Sequence, residues 1–213
     1  MKSVVACALW CLAALTPVAA ADREMLHIEY QIVAYGVDPG SFPAMPRRLW
    51  RAGPGMLRLE EPVDPANGEH RLVISALPDI WYIDLGLRHG VHGRDTSAKP
   101  AAHFPVFTVE PGDPLAALEM GAEVAFFAGH GARDAADKPV AGVDCSVQEV
   151  QLGDRQLALY RRKTDGMPVL VSVQAGEQVI GVRYLTYQTG VPLDPGLFVP
   201  PSDIEMEEAA ARQ

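Results

Sequence analysis

The sequence predicts a mainly β protein: one strongly curved antiparallel sheet forming a half-open barrel of about 10–11 strands, with one or two short helices. Three features lead there. Apolar and polar residues alternate with period two in segment after segment. Glycine-bearing turns at Gly153-Asp154, Asp165-Gly166 and Gly176-Glu177 are spaced for consecutive hairpins. So many strands leave edges that only closure or strong curvature protects.

The first strand is expected over Met25 to Ala34, where Leu26, Ile28, Tyr30 and Ile32 face one way and His27, Glu29 and Gln31 the other. Arg47 to Ala52 and Met56 to Glu61 read as a hairpin across Gly53-Pro54-Gly55. The turn signal Asn67-Gly68 leads into a strand over Arg71 to Leu77, and Pro78-Asp79 breaks the chain before Ile80 to Leu87. From Arg88 to Pro105 the chain reads as a long polar loop. Asp113-Pro114 supplies a cap and a first-turn proline for a helix of two turns at most, over Leu115 to Met120, with Gly121 as its stop. Glu123 to Ala128 suits strand or helix and is assigned to strand. The rest is a meander, with Leu157 and Leu159, Val169, Val171 and Val173, and Ile180, Val182 and Tyr184 on its apolar faces. It closes on a Leu197-Phe198-Val199 plug before Pro200-Pro201.

Residues 1–21 read as a secretory signal: Lys2, an apolar run from Val4 to Leu15, and a small-residue cleavage site ending Ala19-Ala20-Ala21. That run is shorter than the roughly 20 residues needed to span a bilayer. The expected destination is the periplasm of a Gram-negative bacterium, with no transmembrane segment after signal removal. Residues 22–204 are expected to form a single β domain and 205–213 an acidic tail, frayed helix or disordered. Cys7 and Cys11 leave with the signal, so Cys145 has no internal disulfide partner and a packed core must carry stability. The net charge of −9, one unit more negative without Lys2, argues against nucleic acid and against docking on anionic lipid by charge.

The order strand, turn, strand, then Tyr184 and Tyr187, then "PLDPGLFVPP" resembles the C-terminal end of the lipoprotein-sorting carriers and receptors of the bacterial envelope. "LPDIWYIDLGLRHGVHGRD" followed by "LEMGAEVAFF" is similar to an uncharacterised branch of such exported proteins. The resemblance spans Arg47 to Asp203 and implies a half-closed antiparallel barrel around an apolar cavity. Carriers of that family begin with an amphipathic lid helix, whereas here the first strand follows the expected cleavage site within a few residues. The Arg88–Pro105 loop and the Asp113 helix are the segments left to cover the mouth.

Several constellations are candidates for chemistry. His89, His92, Asp95 and His103 are residue types that hold zinc or copper. On a strand, however, an i, i+3 pair points to opposite faces, and the glycines at 86, 90 and 93 disfavour a helix. A polar loop with solvated histidines is the simpler reading. Gly129-His130-Gly131-Ala132-Arg133-Asp134 offers a general base but reads more simply as a flexible connector. Ser75 and Ser146 lack the surroundings of a nucleophile, and Cys145 between Val143 and Val147 reads as a buried, inert thiol. The chain has no phosphate loop, dinucleotide fingerprint or zinc-protease motif, so no cofactor is expected.

That leaves the apolar faces. Leu57, Leu59, Ile74, Trp81, Ile83, Val171, Val173, Val182 and Tyr184 are the expected lining of a concave cavity. The expected function is non-catalytic binding of an acyl chain or other apolar ligand. The alternatives are a structural or interaction module whose core is filled by its own side chains, and a metal-dependent hydrolase using His89 and His92.

Overall fold

A computed structural model describes residues 24–34, 36–96, 99–105 and 112–209. The expected signal, with Cys7 and Cys11, lies outside the described residues. The strands are β1 (Glu24–Ala34), β2 (Arg47–Ala52), β3 (Met56–Glu60), β4 (Arg71–Ala76), β5 (Asp79–Asp84), β6 (His89–Arg94), β7 (Arg133–Val140), β8 (Val143–Leu152), β9 (Arg155–Arg162), β10 (Pro168–Ala175), β11 (Gln178–Pro192) and β12 (Glu205–Glu208). They form one sheet in the order β12-β6-β5-β4-β3-β2-β1-β11-β10-β9-β8-β7, with β12 and β7 at its open edges.

The order is two meanders joined by β1 and β11. Each hairpin neighbour pairs with the next, and β1 zips antiparallel along the long β11 from Glu24↔Pro192 to Ala34↔Ile180. The half-open, antiparallel, mainly β architecture is the one the alternation predicts. Its one parallel pair among the described residues is β12 on β6.

Curvature shows in the packing. Leu57 of β3 and Val150 of β8 belong to one buried cluster, although they sit six strands apart in the order. On a flat sheet that separation is roughly 29 Å, so the concave face must wrap around shared material. The chain supplies that material itself. Residues 99–105 and 112–132, called the insert below, lay Ala102, Phe104, Leu115, Leu118, Met120, Phe126 and Phe127 against the concave face. The opposite face carries a second cluster under the C-terminal strap, where Phe198 and the flanking Leu193, Leu197, Ile204 and Met206 cover Leu72, Ile74 and Ile83.

Four local expectations are corrected. Glu123–Gly129 is an α-helix, α1, not a strand. Its buried residues Glu123, Phe126 and Phe127 fall at i, i+3 and i+4, while Val124 is exposed. His89–Arg94 is strand β6 inside the expected loop, because its backbone pairs with β5 from Asp84↔His89 to Asp79↔Arg94. Arg133–Val140 is edge strand β7, not a connector; it is polar because an edge strand needs charge and proline to discourage further pairing. Glu205–Glu208, expected as frayed helix or disordered tail, is strand β12.

Two other segments differ from expectation in detail. The Asp113-Pro114 signal starts a single 3-10 turn, Pro114–Ala117, with the Asp113 side chain accepting from the Leu115 N–H. In the Leu197-Phe198-Val199 plug only Phe198 is buried, and Val199 is exposed. No helix among the described residues is long and apolar enough to cross a membrane.

Candidate functional site: the plugged concave face

Register decides which predicted residues share a face, because directly opposed residues on paired strands point the same way. Leu57 opposes Ser75 and Leu59 opposes Val73, while Val171 opposes both Val182 and Leu159. Leu57, Leu59, Val171, Val173, Val182 and Tyr184 therefore gather on the concave face against the insert. Ile74 opposes Trp81, and Leu72 opposes Ile83. This one-residue offset puts Ile74, Trp81 and Ile83 on the other face, under the strap. The nine residues expected to line one cavity are split six and three.

Polar contacts hold the insert at three points. On β2, the Arg51 guanidinium donates to Glu119 at 2.7 Å. On β9, Arg155 forks onto both oxygens of Asp113 at 2.8 and 2.7 Å. That fork, helped by the Leu115 N–H, holds the Asp113 carboxyl at about 2. On β11, Tyr184 and Tyr187 both donate to Glu123, Tyr187 at 2.9 Å, and the Gly121 N–H adds a third bond at 2.9 Å.

Glu123 has no solvent exposure. Burial pushes its carboxyl above the ordinary value, and the Tyr184, Gly121 and Tyr187 donors pull it partly back. Burial also raises both phenols, Tyr184 well above its ordinary value, so they remain protonated donors. The insert's two halves are tied together as well: the Met120 N–H bonds Ala102 O at 2.8 Å, and His103 bridges Glu119.

Beyond the insert the concave face continues into a cleft of about 340 Å³, lined by Leu57, Val73, Ser75, Ile80 and Tyr82 with Asp95, Lys99, Pro100 and Ala101 at its rim. Tyr82 is 61% exposed there. A larger cleft, about 650 Å³, lies at the far end between His130, Arg133, Asp134, Glu149, Gln151 and Gln156. Both clefts carry charges of both signs; the smaller one differs in having Leu57, Val73 and Ile80 on its wall, continuous with the apolar concave face. His130, weighed as a general base and read more simply as part of a connector, turns Nδ1 to Phe126 O at 2.8 Å and lays its ring against Phe126. It thereby closes the end of α1.

The histidines weighed as metal ligands in the alternative reading disperse. His92 stacks on Trp81 and places Glu208 on Nδ1 and Asp79 on Nε2, each at 2.9 Å. Carboxylates on opposite edges of a ring bridge an imidazolium; they do not converge on an ion. His89 faces Glu207 at 3.3 Å, and His103 belongs to the insert. No cluster of ligands with metal-binding geometry is present among the described residues. Cys145 is buried with Val147, as expected, and burial pushes its thiol up.

Sequence reasoning missed Glu123, Asp113 and Arg155 as a set. The only local signal was the acidic residue opening each short helical segment. Their partners lie 42 to 64 residues away along the chain.

No family model and no curated protein matches the sequence. Among solved structures, it is similar to an uncharacterized conserved protein from Thermus thermophilus, at 10% identity and a TM-score of 0.49, over 87% of this chain and 90% of that one. A chain of the Pseudomonas aeruginosa MucA/MucB complex matches at 17% identity and a TM-score of 0.47, over 87% of this chain and 59% of that one. This chain thus spans about three-fifths of the MucA/MucB-complex chain. A putative outer membrane lipoprotein-sorting protein domain from Vibrio parahaemolyticus matches at 8% identity and a TM-score of 0.35, over 84% of this chain and 92% of that one.

Proposed function

We propose that this is an exported, non-catalytic binding domain of the bacterial envelope. Its concave face takes an acyl chain or another apolar group alongside, or in place of, the insert. The observation that carries this reading is the continuity of the half-open cleft at Leu57, Val73, Ile80 and Tyr82 with the face beneath Phe104, Leu115 and Phe127. The cleft is at the small end of the usual ligand-pocket range of about 300–1,000 Å³. Displacing the insert would enlarge it by the volume of those side chains. Each methylene transferred from water to that face contributes roughly 0.8 kcal/mol, which is set against the three polar ties and against whatever burial the insert's own apolar side chains lose.

The closed state also supports a second reading. With the insert in place the concave face is filled by the chain itself, which suits an interaction module with a permanent core. Mass spectrometry of protein extracted under native conditions separates the two. Stoichiometric co-purified lipid supports the binding domain; protein that carries no lipid and takes up none from mixed vesicles supports the interaction module.

A further inference from the structure

β12 is a weakly held strand in a well-made seat. It pairs in parallel with β6 over four residues, from Glu205↔His89 to Glu208↔His92. The Glu205 N–H bonds Arg88 O at 2.9 Å, and the Ala209 N–H bonds His92 O at 2.7 Å. Acidic side chains of β12 and the residues before it meet basic ones of β6 and its lead-in: Asp203 on Arg88 at 2.8 Å, Glu207 on His89 at 3.3 Å and Glu208 on His92 at 2.9 Å. The Glu207 and Glu208 side chains are 70% and 77% exposed, and exposed ion pairs of this kind hold little. Only Met206 turns inward. Its sulfur lies over Gly90, where a Cβ would come within 2.9 Å of it, so the seat is shaped by a missing side chain. Removing β12 would leave β6 with an unpaired backbone, a rim of Arg88, His89, His92 and Arg94 in which the last two share Asp79, and a glycine-floored notch beside Ile83.

We propose that the β6 edge is a peptide-acceptor site for an acidic, extended segment of a partner protein, and that β12 is the chain's own exchangeable occupant. The mode is strand addition, in which backbone pairing gives affinity and side-chain seats give selectivity. The recognised segment carries an unbranched apolar residue for the Gly90 notch, flanked by carboxylates at the positions of Asp203, Glu207 and Glu208. The tethered β12 competes at an effective concentration on the millimolar scale, so a free peptide binds the resting chain weakly. The Gly90 notch opens on the face opposite the insert, while His89 and Glu207 lie on the concave side; strand addition at β6 does not depend on the apolar-ligand reading.

The test uses the full chain and a fluorescent peptide of residues 202–209. In anisotropy titrations at pH 6, a Met206→Ser/Glu208→Lys variant, whose own strand is evicted, is expected to bind the peptide at least tenfold more tightly than the unmodified chain. Adding Gly90→Val should abolish that gain, and the peptide with its acidic residues replaced by lysine should not bind. Hydrogen exchange on the unmodified chain keeps the idea testable if the variant folds poorly. The Glu205 and Ala209 amides should exchange at least tenfold faster than the β4 amides, and faster still with excess peptide. Equal protection of β12 and β4 overturns the proposal, as does peptide binding indifferent to charge. Concentration-dependent dimers that swap β12 without binding the peptide also overturn it, in favour of self-exchange.

Discussion

Tyr184 on β11 donates its phenolic hydrogen to Glu123 on α1, so the helix that fills the concave face is fastened to the sheet by a fully buried carboxyl group. Tyr187 and the Gly121 N–H complete the set of donors. Glu123→Ala would strand three buried or half-buried donors, at roughly 1–3 kcal/mol each when unsatisfied. A loss of about 3 kcal/mol or more in urea unfolding is expected. Tyr187→Phe, which removes one donor and leaves the others paired, should cost about 1 kcal/mol.

The same group sets a pH dependence. A carboxyl held above its ordinary value binds its proton more tightly when folded. Its contribution is therefore complete below about 4.5, the ordinary value, and declines as pH rises through the folded value. Stability measured upward from pH 4.5 should show this decline in the unmodified chain, and Glu123→Gln should remove it.

Asp113 has the opposite sign. Its carboxyl is lowered from 3.8 to about 2, so its contribution is present above 3.8 and is lost as pH falls toward 2. Asp113→Asn should flatten the acid limb of the stability profile in that window. Arg155→Ala should do the same, because the guanidinium fork is the largest cause of the shift.

His92 titrates at the other edge of the sheet. Glu208 on β12 and Asp79 on β5 both raise it from 6.5, the Glu208 bond first. Arg94 shares Asp79 at 3.3 Å, and the Trp81 ring stacks on the imidazole. The clasp on β12 is complete below 6.5 and is lost as pH rises through the folded value. The protection of the Ala209 amide relative to its intrinsic exchange rate should fall over that range, and His92→Gln should lessen that fall.

Much of the fold was legible in the residues. Alternation and turn spacing located β1 to β5 and β8 to β11, because a half-buried strand writes its two faces into its own sequence. α1 was misread because its buried Glu123 looks like a solvent-facing residue until Tyr184 and Tyr187 are known to meet it. β6, β7 and β12 were missed for a related reason. Edge and near-edge strands here are polar or glycine-bearing, and only their pairing partners reveal them. For the candidate site, each strand's alternation was correct. The face shared between strands depends on register, however, and register placed Ile74, Trp81 and Ile83 beneath the strap.

Cys145 tests the packing of the second meander. Its thiol is buried and its ionisation suppressed, so a disulfide reagent at about pH 8 should label it only in step with unfolding. Labelling of the native chain at the rate of a free thiol would contradict the placement of β8.

The central claim is that the concave face binds apolar groups when the insert yields. An environment-sensitive fatty-acid probe titrated against the unmodified chain and an Arg51→Ala/Arg155→Ala variant, which releases two of the three ties, tests it most directly. Saturable, one-site binding that is at least fivefold tighter in the variant is expected. Absence of saturable binding to both folded proteins would contradict it.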